Sequence, residues 1–145
     1  MPRMYRVMTP DEDGKPKIGA TARTLGVRPQ IDGLGLGDIP VREGSVAPGT
    51  GGMSVAPQLQ DLPLWRIPRR YALPGKGMVG TGKYEDSCWW MGDGLFRNEV
   101  ISDRLNLVVD SPTHGEVQPS SSMLLEAYQT ALSTTRDSWS EEIVR

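Results

Sequence analysis

The sequence predicts an α+β domain with a strand-dominated core, long Gly/Pro-rich loops and a single C-terminal helix. Three observations predict it. Seventeen Gly and twelve Pro among 145 residues interrupt helices and central strands, so elements must be short and connections long. Short apolar runs, several of them β-branched, recur between turn residues along the whole chain. Only one segment, near the C-terminal end, spaces apolar residues at helical intervals. The length fits a single domain spanning 1–145, and such a chain buries a core without needing a disulfide or a metal.

Met4-Tyr5-Arg6-Val7-Met8 reads as a first strand with one arginine inside it, closed by Pro10 and the turn Asp11-Glu12-Asp13-Gly14. Residues 18–28 read equally as a short strand or a short helix around Ile18, Leu25 and Val27. Residues 29–52 form a long glycine-rich connection, with a strand near Ile39 to Val41 inside it; an insert of this length implies a function. Met53-Ser54-Val55-Ala56 is the next strand, ended by Pro57. Leu62 to Ile67, flanked by Pro63 and Pro68, is at best an extended edge. Residues 69–83 are basic and glycine-rich, and Cys88-Trp89-Trp90-Met91 reads as a buried strand. Leu105 to Val109 is the clearest strand of all. A turn at Ser111-Pro112 leads to the segment His114 to Gln118, stopped by Pro119. Leu124, Leu125, Tyr128, Leu132 and Thr135 then align on one face of a helix over about 123–137, with Ser120 to Ser122 offering N-caps.

Sixteen basic residues against eighteen acidic ones leave a net charge of −2. That balance supplies no long-range attraction for nucleic acid or anionic lipid. No run approaches the roughly 18 apolar residues of a membrane helix. The first thirty residues hold no apolar leader, so a cytoplasmic site of action, reached without a cleaved signal peptide, is the expectation. Cys88 is the only cysteine. No intramolecular disulfide is possible, and its neighbours Trp89 and Trp90 point to a buried structural thiol in a reducing compartment.

One His and one Cys do not build a zinc site without acidic partners, and no ligand spacing indicates one, so no metal is expected. Gly33-Leu34-Gly35-Leu36-Gly37 follows no convincing strand, opens no helix and lacks the third glycine of a dinucleotide loop at the expected offset. Gly75-Lys76-Gly77 lacks the other Walker residues. What remains is Arg6 in an apolar strand, Ser54 after a glycine pair, and His114 with Glu116 on a short strand. Each has a plain structural reading. Arg6 sits at a strand edge with its head in water, Ser54 is a turn hydroxyl, His114 is a satisfied core histidine, and Glu116 faces solvent.

Taken together, their order resembles the arginine–serine–glutamate layout of ADP-ribosyltransferase toxins. More narrowly, the chain resembles small type VI secretion effectors with an ADP-ribosyltransferase-like fold. Tyr5-Arg6, the run Thr50-Gly51-Gly52-Met53-Ser54-Val55 and the segment Thr113-His114-Gly115-Glu116-Val117-Gln118-Pro119 carry the resemblance. It implies NAD as cofactor and a catalytic set of Glu116, His114 and Ser54. Glu116 would hold the ribose and stabilise developing positive charge. Arg6 would pair with the dinucleotide phosphates, with Tyr5, Gly52 and Ser54 beside it. Tyr84, Trp90 or Phe96 would stack on nicotinamide. The resemblance also implies a cognate immunity protein or antitoxin as partner and an acceptor that the sequence does not name. Classical members carry two acids, or a glutamine and an acid, one residue apart; here His114 takes the first of those positions.

Two other classes compete. An antidote or adaptor, without enzymatic activity, would use the aromatic and arginine patch from Trp65 to Trp90. An RNA-directed enzyme would hold phosphate with Arg69 and Arg70, a reading the overall charge disfavours.

Overall fold

The structure, a computed structural model, describes residues 1–73 and 75–144. Its elements in order are β1 (Met4–Met8), β2 (Pro29–Ile31), β3 (Ile39–Val41), β4 (Ser45–Val46), β5 (Met53–Val55), β6 (Ser87–Met91), β7 (Glu99–Ser102), β8 (Leu105–Ser111), β9 (His114–Pro119), β10 (Met123–Leu124), α1 (Leu125–Ser133) and β11 (Ser140–Glu141). Single 3₁₀ turns occupy Leu59–Asp61 and Arg136–Ser138. The architecture is α+β and strand-dominated, with one α-helix near the C-terminal end among the described residues. No helix among them is long and apolar enough to cross a membrane.

Two antiparallel sheets organise the chain. In the first, β6 lies between β1 and β11; in the second the order is β5-β9-β8-β7. Tyr5 and Ala56 join the two, each backbone N–H donating to the other's carbonyl at 2.7 and 3.0 Å. Two small pairs, parallel β2-β3 and antiparallel β4-β10, close the periphery.

Period-two alternation divides the core. From β1, Met4 and Met8 enter a large cluster with Trp89, Met53, Leu105, Leu107, Val117 and the helix residues Tyr128 and Leu132. Val7 and Cys88 point the other way, into a smaller cluster with Leu59, Leu62, Ile67 and Tyr71. Both faces of β1 are therefore covered, and Arg6 is only 6% exposed, not a strand-edge residue with its head in solvent.

Several expectations change. Residues 18–28 form neither strand nor helix but a loop, stitched by a bridge between Ile18 and Leu25. Leu62 to Ile67 is a turn, because Pro63 accepts the backbone N–H groups of Arg66 and Ile67 rather than extending an edge. The helix is shorter than 123–137. Met123 and Leu124 pair with Val46 and Ser45 as strand, so Leu124 caps the helix and no side chain at Ser120 to Ser122 does. At the far end the hydroxyls of Ser133, Thr134 and Thr135 donate to carbonyls three residues back, at 2.7, 2.6 and 2.8 Å. Such local bonds compete with helix continuation.

Candidate functional site

The site grows from Arg6. Its Nη1 donates to the carbonyl of Ser54 at 3.0 Å. Nε and Nη2 both donate to the Thr24 carbonyl, at 3.3 and 3.0 Å, and Nη2 also reaches Gly26 O at 3.2 Å and Thr21 O at 3.4 Å. Among the described residues no carboxylate touches the guanidinium. Burial pulls its pKa down to about 10, a fall that the charge of Asp38 opposes, so it stays protonated at neutral pH.

Three of those carbonyls belong to the loop 18–28, which folds over Arg6 for identifiable reasons. Arg23 forks onto buried Asp86 at 2.6 and 2.8 Å, and Thr9 donates to the same carboxylate at 2.7 Å. Gly26 lets the loop close on itself, since a Cβ there would stand 1.9 Å from the Gly19 carbonyl oxygen.

β5 and β9 carry the other residues. Ser54 lies opposite Glu116 in the antiparallel register, so their side chains share one face of the sheet, with His114 and Gln118 following at alternate positions. Glu116 is half-buried and accepts a bond from Gln118 Nε2 at 3.2 Å. His114 faces Asp110 across the tight turn from β8 to β9, Nδ1 lying 2.8 and 3.0 Å from the two carboxylate oxygens. A carboxylate only accepts, so Nδ1 carries a proton, and in the neutral ring the lone pair lies on Nε2. Nε2 makes no hydrogen bond among the described residues.

Arg6, Ser54 and His114 line one cavity of about 330 Å³, together with Thr113, Arg28, Asp38, Asp61, Trp65 and Arg66. Three arginines against two aspartates leave the lining with one excess positive charge. Arg28 is neutralised by Asp38, which accepts from Nη2 at 3.1 Å and from the Arg28 backbone N–H at 2.7 Å. Cavities that take small ligands span about 300–1,000 Å³. This one sits at the lower end of that range.

The other residues singled out in the sequence lie elsewhere. Glu116 adjoins Ser54 but does not line the cavity. Tyr5 and Trp90 are register partners on the face of β1-β6 opposite to Arg6, and Arg3 covers the Trp90 ring at 4.0 Å. Tyr84 is 61% exposed and stands near Arg70, outside the cavity lining. Phe96 packs on the core beneath Gly115. Gly52 has a packing reason to be glycine: a Cβ there would come within 2.6 Å of the Val117 carbonyl on β9.

The arginine-rich stretch divides three ways. Arg70 is tied to Tyr84 O, Asp86 O and the Ser87 hydroxyl. Arg69 is exposed, and Arg66 reaches the cavity. The aromatic patch divides too: Trp65 and Tyr84 are exposed, whereas Tyr71 and Trp89 are buried. Cys88 is wholly buried, as its tryptophan neighbours predicted.

Sequence reasoning missed Asp110, Arg28 and Asp38. Only Asp110 leaves a local trace, four residues before His114 across a Pro-Thr turn. Among the described residues no group of three or more His, Cys, Asp or Glu is placed to hold a metal ion. The chain matches no known protein family and no curated protein.

Proposed function

We propose that this protein is an ADP-ribosyltransferase-like toxin that cleaves the nicotinamide–ribose bond of NAD and passes ADP-ribose to an acceptor or to water. In this reading the two antiparallel sheets are those of a small ADP-ribosyltransferase-like fold. The observation that carries it is the side-by-side run of β1, β5 and β9: Arg6 bonds the Ser54 backbone, and Ser54 faces Glu116 in register.

Bound NAD would supply a bond whose rupture leaves positive charge on the ribose. The residues present suit that task. Glu116, half-buried beside Ser54, offers a carboxylate to accept ribose hydroxyl bonds and to balance the charge. Ser54 presents an exposed hydroxyl on the same sheet face. His114, held by Asp110, turns a basic nitrogen to the proton of an attacking nucleophile, the general-base role that an imidazole fills near neutral pH. Arg6 acts one step back, fixing the Ser54 backbone from beneath.

A toxin of this kind works in the cytoplasm of the cell it harms and is held in check by an immunity protein or antitoxin that plugs the cleft. Purified protein incubated with NAD should release nicotinamide, and Glu116→Ala and His114→Ala should each abolish release while circular dichroism stays unchanged. Wild-type protein that releases none, and that cells express without loss of growth, would overturn the reading. The exposed Trp65 would then mark a binding module, tested by loss of a partner on Trp65→Ala.

A further inference from the structure

We propose that Arg66, not Arg6, is the cation that holds the phosphate of a nucleoside diphosphate in this cavity, with Trp65 beside it as the stacking face for the base or nicotinamide ring. The inference rests on the nucleotide-cleaving reading for its class of ligand, and on the hydrogen-bond inventory for its choice of residue.

A guanidinium has five N–H donors. Those of Arg6 go to the carbonyls of Thr24, Gly26, Thr21 and Ser54, leaving one Nη1 hydrogen uncommitted. Recognition of a phosphate by a fork needs two parallel donors, so Arg6 lacks the means. Arg28 commits two of its five N–H groups to Asp38, whose carboxylate already balances its charge. Arg66 is the remaining arginine of the lining, and its side chain makes no hydrogen bond and no ion pair among the described residues.

Its backbone is nevertheless held firmly. The Arg66 N–H donates to Pro63 O at 2.9 Å, the next residue, Ile67, is fully buried, and Gly82 packs so close that a Cβ would lie 2.4 Å from the Arg66 carbonyl oxygen. A half-buried cation on a fixed backbone, in a lining with an excess positive charge, is a site that an anion completes. The preceding side chain, Trp65, lines the same cavity yet is 67% exposed. An indole left open beside an unpaired guanidinium offers the ring-stacking surface that accompanies phosphate in nucleotide recognition.

The test compares ADP with adenosine, followed by quenching of tryptophan fluorescence and by calorimetry on the full chain. Wild type should bind ADP about tenfold or more tightly than adenosine. Arg66→Gln should erase that difference while leaving adenosine affinity within about twofold; Arg66→Lys should keep part of it, and Arg69→Gln, at an exposed neighbour, all of it. Thermal unfolding of Arg66→Gln should match wild type, because no bond is lost. Equal affinity for the two ligands in wild type, or an ADP preference that survives Arg66→Gln, overturns the proposal. Nicotinamide release separates it from the parent reading. Arg66-dependent ADP binding without turnover of NAD would sink the enzyme and keep the anion site. Turnover whose KM for NAD ignores Arg66→Gln would do the reverse.

Discussion

Arg6 Nη1 and the Ser54 carbonyl oxygen lie 3.0 Å apart, so the two residues meet through the main chain of β5 and leave the serine hydroxyl free. This makes the arginine a brace. Arg6→Met would strand buried carbonyls at Thr24 and Gly26, each worth about 1–3 kcal/mol when left without a donor, and release the part-buried one at Ser54. A total loss of about 3 kcal/mol or more is expected, read from urea unfolding. Activity should fall with it, and Arg6→Lys should restore only part, having fewer donors and no planar fork.

Tyr128 ties the helix to the same strands. Its hydroxyl accepts the Met53 N–H at 3.2 Å and donates to the Val117 carbonyl, next to Ser54 on one strand and Glu116 on the other. Tyr128→Phe removes both bonds in a fully buried place and should cost about 1–3 kcal/mol. Gly52→Ala should be as harmful, since its methyl meets the same Val117 carbonyl. Unfolding midpoints of the two variants check this.

Asp110→Asn should leave stability near wild type, because Asp110 is exposed. Turnover should fall about tenfold to hundredfold, as an amide no longer selects the His114 tautomer with Nε2 unprotonated. Nicotinamide release measured beside His114→Ala would show whether the pair acts as a unit, the double variant then being no worse than His114→Ala alone.

Cys88 should resist thiol reagents in the native state. Burial, reinforced by the charge of Glu142, pushes its thiol up to about 12, so the reactive thiolate is scarce at neutral pH. Labelling should proceed at the rate of local or global opening and become immediate in denaturant; rapid native labelling would contradict the packing around β6.

One acid-sensitive contact joins distant segments. Arg136 donates to both Asp13 oxygens, at 2.7 and 2.6 Å, and to Pro16 O at 2.9 Å. The guanidinium holds the Asp13 carboxyl below its ordinary value of 3.8. A depressed folded pKa contributes stability above the unfolded value, and the contribution is lost as pH falls through the folded one. Asp13→Asn should therefore be less stable than wild type at pH 7 and equal to it near pH 2, by urea midpoints at each pH.

The sequence made some elements legible and hid others for physical reasons. β1, β5, β6 and β8 coincide with apolar runs buried on at least one face, β9 with the short segment between Pro112 and Pro119, and β3 stands out as Ile39 to Val41 inside a polar loop. β2, β4, β10 and β11 are two or three residues long, too short for any periodicity, and exist because distant backbone meets them. Leu124 and Thr135 fit the helix face by spacing, yet strand pairing claims the first and a hydroxyl-capped turn the second. In the site, Arg6, Ser54 and His114 could be singled out because each breaks the pattern of its strand. Their supports could not. The carbonyls around Arg6 carry no residue-type signature, and Arg28 and Asp38 stand just before β2 and β3, on separate segments with no period.

The central strand of the first sheet is paired on one side by residues 4–8 and on the other by residues 140–141. Neither flank is close to it along the chain, so entropy is lost in two large loops before the sheet is complete, a topology associated with slow folding. A nascent chain on the ribosome has β6 with one edge bare until residue 141 has left the exit tunnel. Full assembly of this scaffold thus waits for residue 141, an interval in which another protein can engage the unfinished edge.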